Sequence, residues 1–553
     1  MKLRLLQHPS IHHLFVVRCN QNDKRVAESF TWVATPEQHS AAMSEDQAWV
    51  AAAIVGAVLP IAYILYHFSG IFGPKKLIAV SEIKGRTRSM SFNSSVFLSG
   101  VFPTSAAVKP AVINSLFLFK SCPSEASLVD ACKNLVHFDR FRNAVKFDGK
   151  EWVFSETTVD FSKHIETVTV TSEKNMMDEC DRIVLHDLGE YDGVKPLWTF
   201  HRIVNGGTGL SGLLIRIHHV IGDGISLVTA MSKILTDEFG APLQLNMPDA
   251  KDSGKERERM PAPSLFQKVG SLMDILSLPV SKYDTKTLFC PSNTEKMVMT
   301  SRRRSIVFPT VRLDFIKKIK NKAHVTVNDV LLSVMTGAIR KYCVKRGDPS
   351  MKSEAASKLL HSRCLMPVSL PRPLEQFTDP ATALRNYWVM VSVAMPLAPS
   401  TAKGRLLECH ATTALVKKSP TAFIQMYLQN LLPKVLPRFL QQKTAFDIFS
   451  RHTLVFSNVP GPSDLISLCG EQVVGMQILF PNILPTVILI SYAGGVFFNM
   501  NLDDDEMPGA VDELPRYYLE EFKELAAEYE VDTQDMLNDL SPEGFIGISK
   551  ASY

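Results

Sequence analysis

The stretch that most constrains this chain is Leu213 to Gly224, LLIRIHHVIGDG, where an apolar run ends on two adjacent histidines and an aspartate between two glycines. It reads as a buried β-strand running into a tight turn. Side chains alternate across a strand, so Ile215, Ile217 and His219 share one face while Arg216 and His218 share the other. Only one of the two imidazoles can therefore look into a given pocket. Asp223 follows His219 by four residues, a spacing at which its carboxylate braces the strand end, with Gly222 and Gly224 expected to supply unusual backbone angles.

A buried imidazole titrates near neutrality and can take a proton from a hydroxyl and return it to a leaving group. His219 is thus a candidate general base for acyl transfer. A metal site would need further ligands, and two neighbours on opposite strand faces cannot easily reach one ion, so no metal is expected. A merely packed histidine pair is the remaining alternative. The chain contains no G-x-S-x-G elbow, which removes support for a serine-hydrolase triad. Gly207 to Gly212 spells G-x-G-x-x-G, but the β-patterned LLIRIHH follows it instead of a helix, so these glycines are read as a turn between strands.

At 553 residues the chain should form at least two globular units. A net charge of only +4, with no long basic stripe, argues against nucleic acid as a partner. Nine scattered cysteines without a C-x-x-C pair argue for a reducing compartment and against disulfides or zinc. Helical periodicity is expected over Glu125 to Val136, Ile225 to Glu238, Val311 to Lys320, Val327 to Lys345 and Leu514 to Glu530. Strands are expected over Trp198 to Val204, Leu213 to His219, Arg304 to Pro309, Val389 to Met395 and Val487 to Ser491. The charged, Pro-containing run Met247 to Ser264 marks a crossover between halves. The expected fold class is α/β, with halves at 77–246 and 301–535, a crossover at 247–300 and a tail at 536–553.

Upstream, Ala48 to Tyr66 carries no charge and as a helix would extend ~28 Å, the thickness of a bilayer core. A transmembrane helix is expected over 48–68, after a poorly structured segment 1–47, and Met43 is a candidate start. Lys75, Lys76, Lys84 and Arg86 lie downstream of the span while the residues just upstream are acidic, which places the later chain on the cytosolic side. Glycan on Asn93, in the sequon Asn93-Ser94-Ser95, would contradict that orientation. The apolar segment Phe423 to Leu440 is a candidate interfacial element, and Arg302-Arg303-Arg304 a candidate attractor of phosphate charge.

Several motifs together identify a resemblance: HHVIGDG at His218 to Gly224, Pro196-Leu197-Trp198, VNDVLL at Val327 to Leu332, Phe141-Arg142 followed by Trp152, and SNVPGP at Ser457 to Pro462. With these the chain resembles the wax ester synthase/diacylglycerol acyltransferase family, within the chloramphenicol-acetyltransferase-like superfamily, from about Ser91 to Glu530. It departs from the family pattern at Leu384 to Pro396, LRNYWVMVSVAMP, where the family usually has Gly-rich sequence, and in its membrane span.

The resemblance implies a two-domain CoA-dependent acyltransferase fold, with a tunnel between the halves and no cofactor other than acyl-CoA as co-substrate. His219 would deprotonate a fatty alcohol or diacylglycerol, with His218 and Asp223 as supports and Asn328 hydrogen-bonding the reacting oxygens. Asp329 would cap or brace its helix. Pro196, Leu197 and Trp198 would pack the core, and Asn458, Pro460 and Gly461 would shape the tunnel wall. A single-pass protein of the endoplasmic reticulum, with lipid-droplet contact, is the expected setting. An acyltransferase for a smaller hydroxyl or amine, and a silent lipid-binding protein, are the alternatives.

Overall fold

The structure, a computed structural model, describes residues 87–98, 111–207, 209–244, 263–290, 302–373 and 375–538. The expected leader 1–47, the start at Met43, the span 48–68 and most of the tail 536–553 lie outside the described residues. Among the described residues no helix is long and apolar enough to cross a membrane.

Two large sheets organise the described chain. The first runs, edge to edge, Ile165–Val170, Trp198–Asn205, Ser211–His218, Val112–Phe119, Glu471–Leu479, Ile466–Leu468 and Leu235–Asp237. Every residue of Ser211–His218 is buried, as expected of an apolar strand with both faces covered. It pairs antiparallel with Val112–Phe119 on one side, His218 opposite Val112, and with Trp198–Asn205 on the other, Ile217 opposite Trp198. The G-x-G-x-x-G stretch begins in the connection after Trp198–Asn205 and ends inside Ser211–His218, where its last glycine pairs with Ile203. A Cβ at Gly212 would sit 2.6 Å from Met176 Sδ, so this glycine lets the helix Glu173–Val184 approach the sheet.

The second sheet runs Val311–Arg312, Gly495–Asp503, Thr486–Tyr492, Leu454–Pro460, Arg363–Ser369 and Trp388–Ala394, with Arg303–Val307 also pairing Gly495–Asp503. The helix Val327–Lys345 packs between Ala402–Lys418 and Ala510–Glu528, and most of its circumference is buried. Gly337 makes that approach feasible, since a Cβ there would lie 2.0 Å from Glu521 Oε2. Glu521 is paired with Arg405, both side chains being 2% exposed.

The expected helices and strands occur within a few residues of their expected limits, with two departures. Ile225 to Glu238 is not one helix: Gly224–Met231 is helical, but Leu235–Asp237 becomes an edge strand paired with Ile466–Leu468. A ladder with a segment more than two hundred residues away overrides local helical periodicity here. Within the expected crossover, Leu265–Ser277 is a helix with a capping box from Ser264 and Gln267.

A contrast between two glycines tests this packing. A Cβ at Gly461 would meet Ser491 O at 2.3 Å, whereas one at Gly270 meets nothing within 4 Å inside a helix. Gly461→Ala should lower the unfolding free energy by about 1–3 kcal/mol through overpacking. Gly270→Ala should raise it by about 0.5–1 kcal/mol, and urea denaturation reads both.

Candidate active site

His219 stands just past the end of Ser211–His218, its backbone N–H donating to Ala111 O at 2.6 Å. Its ring stacks on Phe97, centroids 4.2 Å apart and planes 18° from parallel, with Trp388 and Phe480 at 5.9 and 6.0 Å. The ring borders a cavity of about 310 Å³ whose walls come from both sheets, including Ile215 and Ile217 from the first and Val455 and Ile488 from the second.

Hydrogen bonds set the tautomer. Asn386 donates from Nδ2 to His219 O at 2.7 Å and to Ser94 Oγ at 3.1 Å. A carbonyl can only accept, so the nitrogen end of this amide is identified and its Oδ1 must be the atom facing His219 Nδ1 at 2.9 Å. Nδ1 therefore carries the hydrogen, and Nε2 is left with its lone pair. Burial pushes the imidazole pKa below its ordinary value, only partly opposed by its own backbone, Asp223 and the Asn386 bond. The ring is neutral at pH 7, the state a base requires.

His218, fully buried, turns the other way. Its Nδ1 accepts from Val220 N–H at 3.1 Å, so its Nε2–H donates to Tyr191 Oη at 3.2 Å, and Tyr191 donates to Asp187 Oδ2 at 3.0 Å. This ring anchors the strand end from behind and does not line the cavity. Asp223 caps the helix Gly224–Met231: Oδ1 accepts from Ser226 N–H and Oδ2 from Tyr387 N–H, each at 2.9 Å, while its own N–H donates to Arg385 O at 3.0 Å. Its carboxylate is thus committed to backbone groups. The expectation of unusual backbone angles at Gly222 and Gly224 is corrected, since neither has a positive φ. At Gly222 space is what matters, because a Cβ would lie 2.9 Å from Ser226 Cβ; at Gly224 it would make ordinary contact with Val459 at 3.4 Å.

Asn328 does not line this cavity. Its Oδ1 accepts from Asn458 Nδ2 at 2.5 Å, and Asn458 and Pro460 are the residues on the wall, with Gly461 pressed against Ser491 behind them. Asp329 closes the capping box of Val327–Lys345, accepting from Thr326 N–H at 2.9 Å and bonding His410 and Thr413 at 2.8 and 2.5 Å. Pro196, Leu197 and Trp198 are buried, and Trp198 Nε1 donates to Phe141 O at 2.9 Å. The arginine triple is engaged internally: Arg302 with Asp505 at 2.9 Å, Arg303 with Ile483 O at 2.9 Å and Arg304 with Asp178 at 2.9 Å.

Sequence reasoning missed Asn386, Phe97 and Ser94. Asn386 sits in the very segment where the chain departs from its relatives' pattern, which was its only signal. Among the described residues no cluster of three His, Cys, Asp or Glu side chains is placed to hold a metal ion.

Residues 126–331 match the wax ester synthase/diacylglycerol acyltransferase catalytic domain and 385–526 the WS/DGAT C-terminal domain, together more than half of the chain. The chain is 25% identical over 411 residues to wax ester synthase/diacylglycerol acyltransferase 9 of Arabidopsis thaliana, covering 68% of this chain and 84% of that protein. Its fold is similar to that of the wax ester synthase/diacylglycerol acyltransferase from Marinobacter aquaeolei VT8, with TM-score 0.53 and 18% identity over 80% of this chain and all of that one. It is also similar to a starter condensation domain of rhizomide synthetase solved in complex with C8-CoA, with TM-score 0.51 and 10% identity over 80% of this chain and 95% of that one.

Asp223→Ala removes a helix cap, costing about 0.5–2 kcal/mol, and strands the Tyr387 N–H, costing about 1–3 kcal/mol more. Its melting temperature should fall together with any activity measured. Lost turnover at unchanged melting would instead give Asp223 a direct part in the chemistry.

Proposed function

The chain belongs to the wax ester synthase/diacylglycerol acyltransferase family and is an acyltransferase, and from that premise we propose that it moves a fatty acyl group from acyl-CoA to a long-chain alcohol or diacylglycerol with His219 as general base. The observation that carries this reading is the unprotonated Nε2 of a burial-neutralised imidazole at the edge of an apolar cavity. Nε2 takes the hydroxyl proton, the alcohol oxygen bonds to the thioester carbonyl carbon, the C–S bond breaks, and the imidazolium returns the proton to the CoA thiolate. Transfer is taken as direct, with no acyl-enzyme: the wall carries the hydroxyls of Ser115, Ser369, Ser457 and Thr486, but among the described residues none of them is hydrogen-bonded to His219 Nε2 as an activated nucleophile would be. Asn386 keeps the ring in the needed tautomer through the whole cycle.

CoA complexes of a structurally similar condensation domain support acyl-CoA as the donor. The cavity lining, dominated by Ile, Leu, Met, Phe and Val, favours aliphatic chains over a small polar acceptor. Asn458, held by Asn328, lies on the wall of the same cavity, which supports an amide donor there in place of Asn328 itself.

The membrane setting is supported by an apolar surface on neighbouring helices. Leu265, Phe266 and Val280 are 64%, 90% and 77% exposed, and Phe439 of the adjoining helix Arg438–Ser450 is 69% exposed. Phe423 to Leu440 is accordingly two helices, Thr421–Val435 and Arg438–Ser450, broken at Pro437. Such a surface suits delivery of water-insoluble acceptors from a bilayer or lipid droplet. Asn93 is buried and donates to Trp388 O at 3.0 Å, which leaves no room for a glycan and agrees with a cytosolic catalytic unit of an endoplasmic-reticulum protein anchored through 48–68.

His219→Ala should cut release of free CoA thiol with hexadecanol or diacylglycerol by about 10²–10⁴-fold, while loss of the Phe97 stack and of the Asn386 bond should cost about 1–3 kcal/mol of stability, so turnover is compared at a temperature where urea denaturation shows the variant folded. A variant retaining wild-type thiol release would defeat the mechanism, and a wild type that binds lipid but releases no thiol would favour the silent lipid-binding reading. The lowered imidazole pKa places the acidic limb of kcat/KM below the ordinary histidine value of about 6.5, so activity should persist as pH falls through neutrality. Replacing Phe266 and Phe439 together with Ser should raise KM for vesicle-borne diacylglycerol severalfold and leave a short, water-soluble alcohol unaffected.

A further inference from the structure

The first sheet has a second cavity on the face opposite His219. It measures about 240 Å³ and is lined by residues that include Arg182, Lys195, His201 and Arg216, together with Glu166 and Asp187. Arg216 precedes His219 by three residues and so points away from the apolar cavity, and it is only 3% exposed. All its hydrogen bonds go to neutral acceptors: Nε to Asn114 Oδ1 at 3.0 Å and Nη2 to His186 O. His201 is 5% exposed, and neither ring nitrogen has a hydrogen-bond partner; the nearest carboxylate, Glu166 Oε2, lies 3.3 Å from Nδ1 outside bonding geometry.

Buried cations of this kind are ordinarily paired. Here neither Arg216 nor Lys195 has a carboxylate within ion-pair distance among the described residues. Asp187 is already taken, accepting from Leu188 N–H at 2.8 Å and from Tyr191 Oη–H at 3.0 Å, while Arg182 is paired at the surface with Glu179 at 2.6 Å. The strain of this arrangement registers in the titration of its members: burial lowers Arg216 to about 10, and burial with the neighbouring Arg216 and Lys195 lowers His201 to about 4. Asp187 and Glu166 oppose the lowering of Arg216, and Glu166 that of Lys195, only from beyond ion-pair distance, and a dianion between the three groups would add the direct charge-assisted bonds that neither carboxylate makes to Arg216 or Lys195. The exposed Arg182 and Glu166 side chains put the mouth of the cavity at the surface.

We propose that this cavity binds a phosphate group, free or carried on a small phosphomonoester, between Arg216, Lys195 and His201. Arg216 supplies a fixed guanidinium at the floor, Lys195 a mobile ammonium, and the open nitrogens of His201 a further donor. The site is separate from the acyl-transfer cavity, with the sheet between them, and does not depend on how that cavity is used.

The test is calorimetric titration of the full chain with inorganic phosphate and with glycerol 3-phosphate, at constant ionic strength. The expected result is saturable one-site binding of at least one of the two, with the tighter ligand identifying the source of the phosphate group. Lys195 is half-buried, so its replacement should leave the fold intact, as urea denaturation will verify. Lys195→Gln should weaken binding about tenfold or more through loss of one charge-assisted bond. Lys195→Arg should restore most of it, and His219→Ala should bind like wild type. Absence of saturable binding of both ligands up to about 10 mM, a Kd range in which even one-site contacts register, would overturn the proposal, as would wild-type affinity in Lys195→Gln.

Discussion

The short segment Arg385 to Tyr387 joins the two halves at the turn that carries His219, and the placement of that ring depends on this seam. Asp223 donates to Arg385 O and accepts from Tyr387 N–H, Ser226 Oγ exchanges bonds with both backbone groups of Arg385, and Asn386 clasps His219 from ring and carbonyl together. Directly after these residues the chain becomes the strand Trp388–Ala394 of the second sheet. Position of the imidazole, choice of tautomer and closure between halves therefore rest on one set of hydrogen bonds. Most of them involve buried groups, for which an unmade bond is costly, so the arrangement has little freedom to drift.

Much of this was legible in the residues. The apolar run ending at His218 and His219 reads as a strand, and alternation assigned the two rings to different sides; that both of its faces are covered came from the structure. The helix Val327–Lys345 kept its expected limits because its cap, Thr326 with Asp329, is local chemistry. What was illegible depended on distance. Leu235–Asp237 looks helical and is a strand because Ile466–Leu468 lies beside it, and no window of neighbouring residues contains that fact. Asn386 is an ordinary asparagine until the fold brings it to His219, 167 residues away in sequence. The glycines around Asp223 show the converse, a correct residue choice with the wrong reason, since room and not backbone angle is what Gly222 provides.

The arginines make the same point about charge. Three in a row at 302–304 suggest a binding patch, yet each is engaged within the fold. Arg216, single and embedded in an apolar strand, attracts no attention in sequence, yet it is as deeply buried as Arg303 and, like Arg303, bonds only neutral acceptors. Isolation of a cation inside a sheet carries more information than its abundance on the surface, because burial raises the cost of leaving it uncompensated.

The strand Glu471–Leu479 belongs by sequence to the second half but pairs along Val112–Phe119 of the first, with Ile466–Leu468 and Leu235–Asp237 beyond it. On the ribosome, therefore, the first sheet stays incomplete long after its own residues have emerged, its inner edge at Val112–Phe119 unpaired until some 350 further residues have been made. Open apolar edges of that kind invite mispairing with other chains. Synthesis of this protein should thus lean on chaperones for most of its duration, and the two halves are not separable pieces that could be made apart and mixed.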